Sequence, residues 1–144
     1  ERIAVLFIDA DGALDRDFGL YYRQLVPGAR IVIDDYQDVI NRHARERYLH
    51  FTAEEESRYV RAKGAGSLRE LVPLGKEYTT FRFANALRDA GLLAIDRRVG
   101  AKGSTLVGHK PWDASLDDRF DAMSAVFARI RDDIHATYLA MRSS

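Results

Sequence analysis

Ile3-Ala4-Val5-Leu6-Phe7-Ile8-Asp9-Ala10-Asp11-Gly12, followed further on by Ala29-Arg30-Ile31-Val32-Ile33-Asp34-Asp35-Tyr36, decides the fold. Each stretch is a nearly unbroken apolar run that stops abruptly in acid. Continuous rather than alternating apolarity predicts strands buried on both faces, as in a parallel sheet covered by helices. Between them Leu14, Phe18, Tyr21, Tyr22 and Leu25 recur at three- and four-residue steps, which predicts an amphipathic helix over 14–26 closed by Pro27-Gly28. Strand, helix, strand implies a right-handed parallel crossover and an α/β class.

Downstream, residues 37–76 are polar and read as an insertion or lid. Val39, Ile40, Arg47, Tyr48 and Phe51 fit one helix there and 54–61 another, with the acidic run Glu54-Glu55-Glu56 suiting a helix N-terminal turn. Gly64-Ala65-Gly66-Ser67 breaks the pattern. Thr79 or Thr80 is expected to cap a helix through Phe81, Phe83, Ala84, Leu87 and Ala90, stopped by Gly91. Residues 92–99 and 104–109 predict two short strands joined by Gly100-Ala101-Lys102-Gly103. From Leu116 a long helix carries Phe120, Met123, Phe127, Ile130, Ile134 and Tyr138 along one seam, suited to packing or to self-association into a homo-oligomer. Residues 1–112 are thus expected as one partial domain and 113–144 as a C-terminal helical element.

Composition narrows the function. Lys and Arg total 22 and Asp and Glu also 22, so there is no basic footprint for nucleic acid or an anionic membrane. Without cysteine, thiolate catalysis, disulfides and cysteine-bound zinc are excluded, which fits a cytoplasmic location. No apolar run approaches the ~20 residues that span a bilayer. The sequence opens inside a core strand without an initiator Met or signal peptide, and is expected to be a fragment of something longer.

In an open α/β sheet, ligands bind beyond the carboxyl ends of the strands. Asp9 and Asp11 leave the first strand, and Asp34 and Asp35 leave the second. Neighbouring strands lie ~5 Å apart, so these carboxylates would crowd and repel one another. A divalent cation relieves that repulsion, and hard oxygen ligands favour Mg²⁺, Mn²⁺ or Ca²⁺ over zinc. The residues alone leave a plainer assignment open. In it Asp11 caps the following helix, and Asp34 and Asp35 mark a solvated strand end.

The segments FIDADG and LVPGARIVIDDY, with the helix between them, resemble the fourth and fifth strands of class I S-adenosylmethionine-dependent methyltransferases. The likeness is greatest to the metal-dependent O-methyltransferases of macrolide and aminocoumarin sugars. It covers roughly 3–36 and 79–111, the second part through AGLLAIDRRVG and STLVGHKP, which resemble the family's terminal antiparallel hairpin. The resemblance implies the C-terminal half of a Rossmann-like sheet with a long C-terminal helix. It further implies Mg²⁺ (or Mn²⁺) held by Asp9, Asp34 and Asp35, Asp11 as general base, and a small-molecule hydroxyl as acceptor. The family's glycine-rich loop for S-adenosylmethionine has no counterpart, and Gly64-Ala65-Gly66 does not follow a buried strand, so no cofactor-binding residue is assigned.

VLFIDADGAL also resembles the first motif of haloacid-dehalogenase-type phosphatases, with Asp9 as nucleophile and Asp11 as acid/base, although Ala13 replaces the usual threonine. A third alternative is a non-catalytic methyltransferase-like domain kept for dimerisation. Among lesser signals, His43 and His50 read as exposed helical residues and His109 as structural. Arg97-Arg98 reads as a solvated strand end, and Trp112 as a wedge between the C-terminal helix and the sheet.

Overall fold

The computed structural model describes residues 2–9, 11–41, 46 and 49–143, the last by its backbone alone. The described residues form an α/β unit around a four-stranded mixed sheet. The strands are β1 (Ile3–Ile8), β2 (Leu25–Ile33), β3 (Ala94–Val99) and β4 (Thr105–His109), in the order β1-β2-β4-β3. β1 and β2 are parallel, while β4 runs antiparallel to both of its neighbours. The helices are α1 (Leu14–Tyr21), α2 (Ala53–Ala62), α3 (Lys76–Asp89), α4 (Leu116–Phe120) and α5 (Met123–Ser143).

Several expectations need correction. The helix expected over 14–26 ends at Tyr21; a 3-10 turn, Tyr22–Gln24, follows, and β2 already begins at Leu25. Pro27 and Gly28, the latter at φ +80°, lie inside that strand, where they bulge it rather than close a helix. The register shows that bulge: Ile3 opposes Leu25, yet Val5 already opposes Arg30. Nor is β1 buried on both faces, since Val5 and Phe7 are 63% and 64% exposed. β1 is an edge strand among the described residues, and its odd-numbered side chains beyond Ile3 face solvent.

α3 starts three residues before the expected Thr79 cap, behind Gly75 at φ +100°. Thr79 instead sits inside the helix and donates its hydroxyl to the Gly75 carbonyl at 2.9 Å. The stop at Gly91 is as read, with φ +74° and the Leu92 N–H returning to the Leu87 carbonyl at 2.9 Å. Val39 and Ile40 are not helical, and Arg47 and Tyr48 lie outside the described residues. The acidic run does open α2, where Thr52 and Glu55 form a capping box. The long C-terminal helix is two, broken at 121–122. Its seam faces inward: Leu116, Met123, Phe127, Ile130, Ile134 and Tyr138 are all buried in the common core with Phe18, Ile31, Ile33, Phe83 and Leu87.

Two polar contacts lock these layers together. Arg131 of α5 forms a bidentate pair with Asp15 of α1, at 2.8 and 2.9 Å. Lys110, 4% exposed, donates to the carbonyls of Tyr22 and Leu25 and to Asp117. Trp112 is no wedge: it is 80% exposed and packs against Gly28, where a Cβ would come within 2.6 Å of its ring.

Candidate metal centre

β1 and β2 pair as Ile8↔Ile33, so the next residues, Asp9 and Asp34, leave the sheet side by side. The Asp34 N–H donates to the Ile8 carbonyl at 3.0 Å, extending the ladder one step past the strands. Asp35 follows at φ +61°, a left-handed turn that Asp tolerates better than most residues. One carboxylate oxygen from each of Asp9, Asp34 and Asp35 lies within 4.8 Å of the others. Oxygens around one divalent ion stand ~3–5 Å apart, since ligand distances run from ~2.0 Å for Mg²⁺ to ~2.6 Å for Ca²⁺. The three oxygens are thus close enough together to serve as ligands of one divalent ion once the carboxylates turn toward it. Asp9 is exposed and the other two are half-buried, so an ion here would keep water ligands.

Asp11 stands apart from this trio. Its side chain is 84% exposed and faces the Lys76 ammonium at 3.6 Å. The helix-capping alternative for Asp11 does not hold: the cap position of α1 is Ala13, and no side chain bonds the helix end. Asp11 has φ +50° and Gly12 φ +89°, so the turn folds back tightly against the start of α3. A Cβ on Gly12 would lie 2.6 Å from Val72 and 3.3 Å from the Lys76 Cα. That close approach carries Lys76 to the acids.

Sequence reading missed Lys76. Its ammonium lies 3.2 Å from Asp35 and 3.6 Å from Asp11, bridging the ends of β1 and β2. The hydrogen bond to Asp35, with the surrounding negative charge, raises the Lys76 pKa, so this lysine stays cationic. Asp35 is also pushed up from the usual carboxylate range, because burial outweighs the nearby ammonium. Thr105, at the start of β4, donates to Asp34 at 3.2 Å and orients it. Glu77 adds a further negative charge near Asp35, and its Oε2 is enclosed without a hydrogen-bond partner among the described residues. Only Gly75, which ends the loop before α3, could have signalled Lys76 in advance.

The remaining candidates fall elsewhere. His50 is exposed, and His43 lies outside the described residues. His109 pairs with Asp96 at 2.9 Å. Arg98 donates to the Gly103 carbonyl and lies over the Tyr36 ring, 5.0 Å from its centre. No helix of the described residues is long and apolar enough to cross a membrane. Compared with known protein families, with curated proteins and with solved structures, the chain matches none.

Proposed function

We propose that the chain is the C-terminal, acceptor-binding half of a Rossmann-like S-adenosylmethionine-dependent O-methyltransferase acting on a small-molecule hydroxyl, with a sugar hydroxyl as the best single choice. The observation that carries this reading is the convergence of Asp9, Asp34 and Asp35 at the carboxyl ends of adjacent parallel strands. The antiparallel pair β3 and β4 in the same sheet supports it, because the resemblance implies that order of pairs. Mg²⁺ or Mn²⁺ held by the three aspartates would lower the pKa of a bound hydroxyl. Asp11, well exposed and joined to Asp35 through Lys76, takes the hydroxyl proton. Lys76 holds the Asp11 and Asp35 carboxylates in place from between them. Among the described residues there is no glycine-rich turn behind a buried strand to hold S-adenosylmethionine, so no residue is assigned to it.

Lys76 also favours a second reading, a haloacid-dehalogenase-type phosphatase, since that family needs a lysine beside its aspartates. Against it, Ala13 replaces the usual threonine, and the acidic pair Asp34-Asp35 ends the very next strand rather than lying far downstream. Transfer of label from methyl-tritiated S-adenosylmethionine to polyol and sugar acceptors, by the complete enzyme with Mg²⁺, tests the first reading. Chelation should abolish transfer. Asp9-dependent hydrolysis of p-nitrophenyl phosphate without methyl transfer would establish the phosphatase instead.

A further inference from the structure

A cavity of about 590 Å³ opens beside Asp11, between the start of α1 and the end of α2. Its volume lies in the range that takes a small molecule. Ala13, Leu71 and Val72 give it an apolar floor, and Tyr59 gives it an aromatic wall. Charged side chains ring it, and half of them are already committed. Arg131 and Asp15 satisfy each other through two hydrogen bonds, and Arg131 also donates to the Leu71 carbonyl at 3.3 Å. Glu70 accepts the Gly66 N–H at 2.8 Å.

Three charges keep capacity to spare. The Lys63 ammonium lies 5.7 Å from the centre of the Tyr59 ring and has no carboxylate partner among the described residues. Arg16 binds Asp17 through its Nε, which leaves its terminal amino groups open. Asp11 meets Lys76 only at 3.6 Å, beyond hydrogen-bond length. The cavity thus offers a carboxylate and two cations with hydrogen-bond donors to spare.

We infer that this cavity seats the methyl acceptor and selects hydroxylated small molecules that carry a carboxylate or a phosphate. The inference rests on the proposed role of Asp11 as the group that takes the hydroxyl proton. With the hydroxyl at Asp11, the rest of the acceptor lies along Tyr59 and its anion meets Lys63 and Arg16. Charge-assisted hydrogen bonds are about twice as strong as neutral ones, so an anion gains what a neutral polyol cannot.

The test is a titration of the metal-free protein with glycerol 3-phosphate, glycerate and glycerol, followed by amide chemical shifts. Omitting metal ensures that the anions report on Lys63 and Arg16 rather than on an ion. Either anion should shift Lys63, Gly64 and Ala65, and glycerol should not; the tighter of the two identifies the group selected. Lys63→Glu should weaken the binding at least about tenfold, the worth of one charge-assisted bond, while Lys63→Arg retains it. Lys63 ends a helix on the surface, so neither change threatens the fold. Equal shifts from all three probes, or binding unchanged in Lys63→Glu, would overturn the inference. Lys63-dependent anion binding in an enzyme that transfers no methyl group would overturn the activity but not the site. Methyl transfer to neutral acceptors with no anion binding would do the reverse.

Discussion

Replacing Lys110 by Met tests whether the α/β layers are locked as described. Lys110 is 4% exposed, and its ammonium makes three hydrogen bonds: 3.1 Å to the Tyr22 carbonyl, 3.0 Å to Leu25 and 2.7 Å to Asp117. It also lies 4.5 Å from the centre of the Tyr22 ring. Met keeps the aliphatic volume and removes the charge. The Tyr22 carbonyl retains the Leu25 N–H, but the bonds from the ammonium vanish. Breaking a buried pair by deleting one partner costs ~3–5 kcal/mol. Asp117 is 46% exposed and rehydrates, which places the loss near the lower bound, ~3 kcal/mol. At ~2–4 °C per kcal/mol for a chain of this size, Tm should fall by ~10 °C. Urea unfolding at pH 7 should show the same loss as a lower midpoint with an unchanged slope. The double variant Lys110→Met/Asp117→Asn should be scarcely worse than Lys110→Met, since both remove the same contact. A single-variant loss under ~1 kcal/mol would mean that burying the ammonium costs as much as its bonds return, and the locking argument fails.

Three further outcomes follow. Tyr22 is fully buried, donates to the Leu92 carbonyl at 2.7 Å, and burial raises its pKa far above the usual phenol value. Its stabilising contribution is therefore complete below ~10, the unfolded value, and declines above it by up to ~1.4 kcal/mol per pH unit. Unfolding midpoints of wild type and Tyr22→Phe should converge from pH 9 to 12, and parallel curves would refute the assignment. Gly12→Ala places a Cβ 2.6 Å from Val72 at φ +89°, so calorimetric stability should drop by ~2–4 kcal/mol from strain and overpacking. Asp11→Asn should leave Mg²⁺ affinity nearly intact yet cut turnover of the complete enzyme ~10²–10⁴-fold, the deficit shrinking as pH rises. Unchanged turnover would remove Asp11 from the mechanism.

Apolar runs ending in acid were enough to locate β1, the core of β2 and the adjacency of Asp9 with Asp34. What periodicity could not show was the extension of β2 from Leu25 to Gly28, ahead of the Ala29 at which its apolar run begins. The residues Leu25-Val26 continue a helical apolar spacing, and only the bulge at Pro27-Gly28, held by the Gly28 N–H to the Lys110 carbonyl at 2.8 Å, makes them strand. Lys76 was hidden for a different reason. It reaches the acids through a long-range fold of the 37–76 segment, and its arrival depends on the absence of a side chain at Gly12. Trp112 misled because a large aromatic is usually buried, whereas here it covers a glycine at the surface. The exposed face of β1 likewise escaped a reading based on apolarity alone, since hydrophobic sequence does not specify what covers it.

Calorimetric titration with Mg²⁺, Mn²⁺ and Ca²⁺ decides whether Asp9, Asp34 and Asp35 form a divalent-cation site. One saturable site is expected in the wild type, weakened at least about tenfold in both Asp9→Asn and Asp34→Asn, because each substitution removes one of three anionic ligands. Asp118→Asn, on the exposed side of α4, should bind as the wild type does. Equal affinity in all four proteins, or no saturable binding in any, would contradict the account and leave the acids as the solvated ends of two strands.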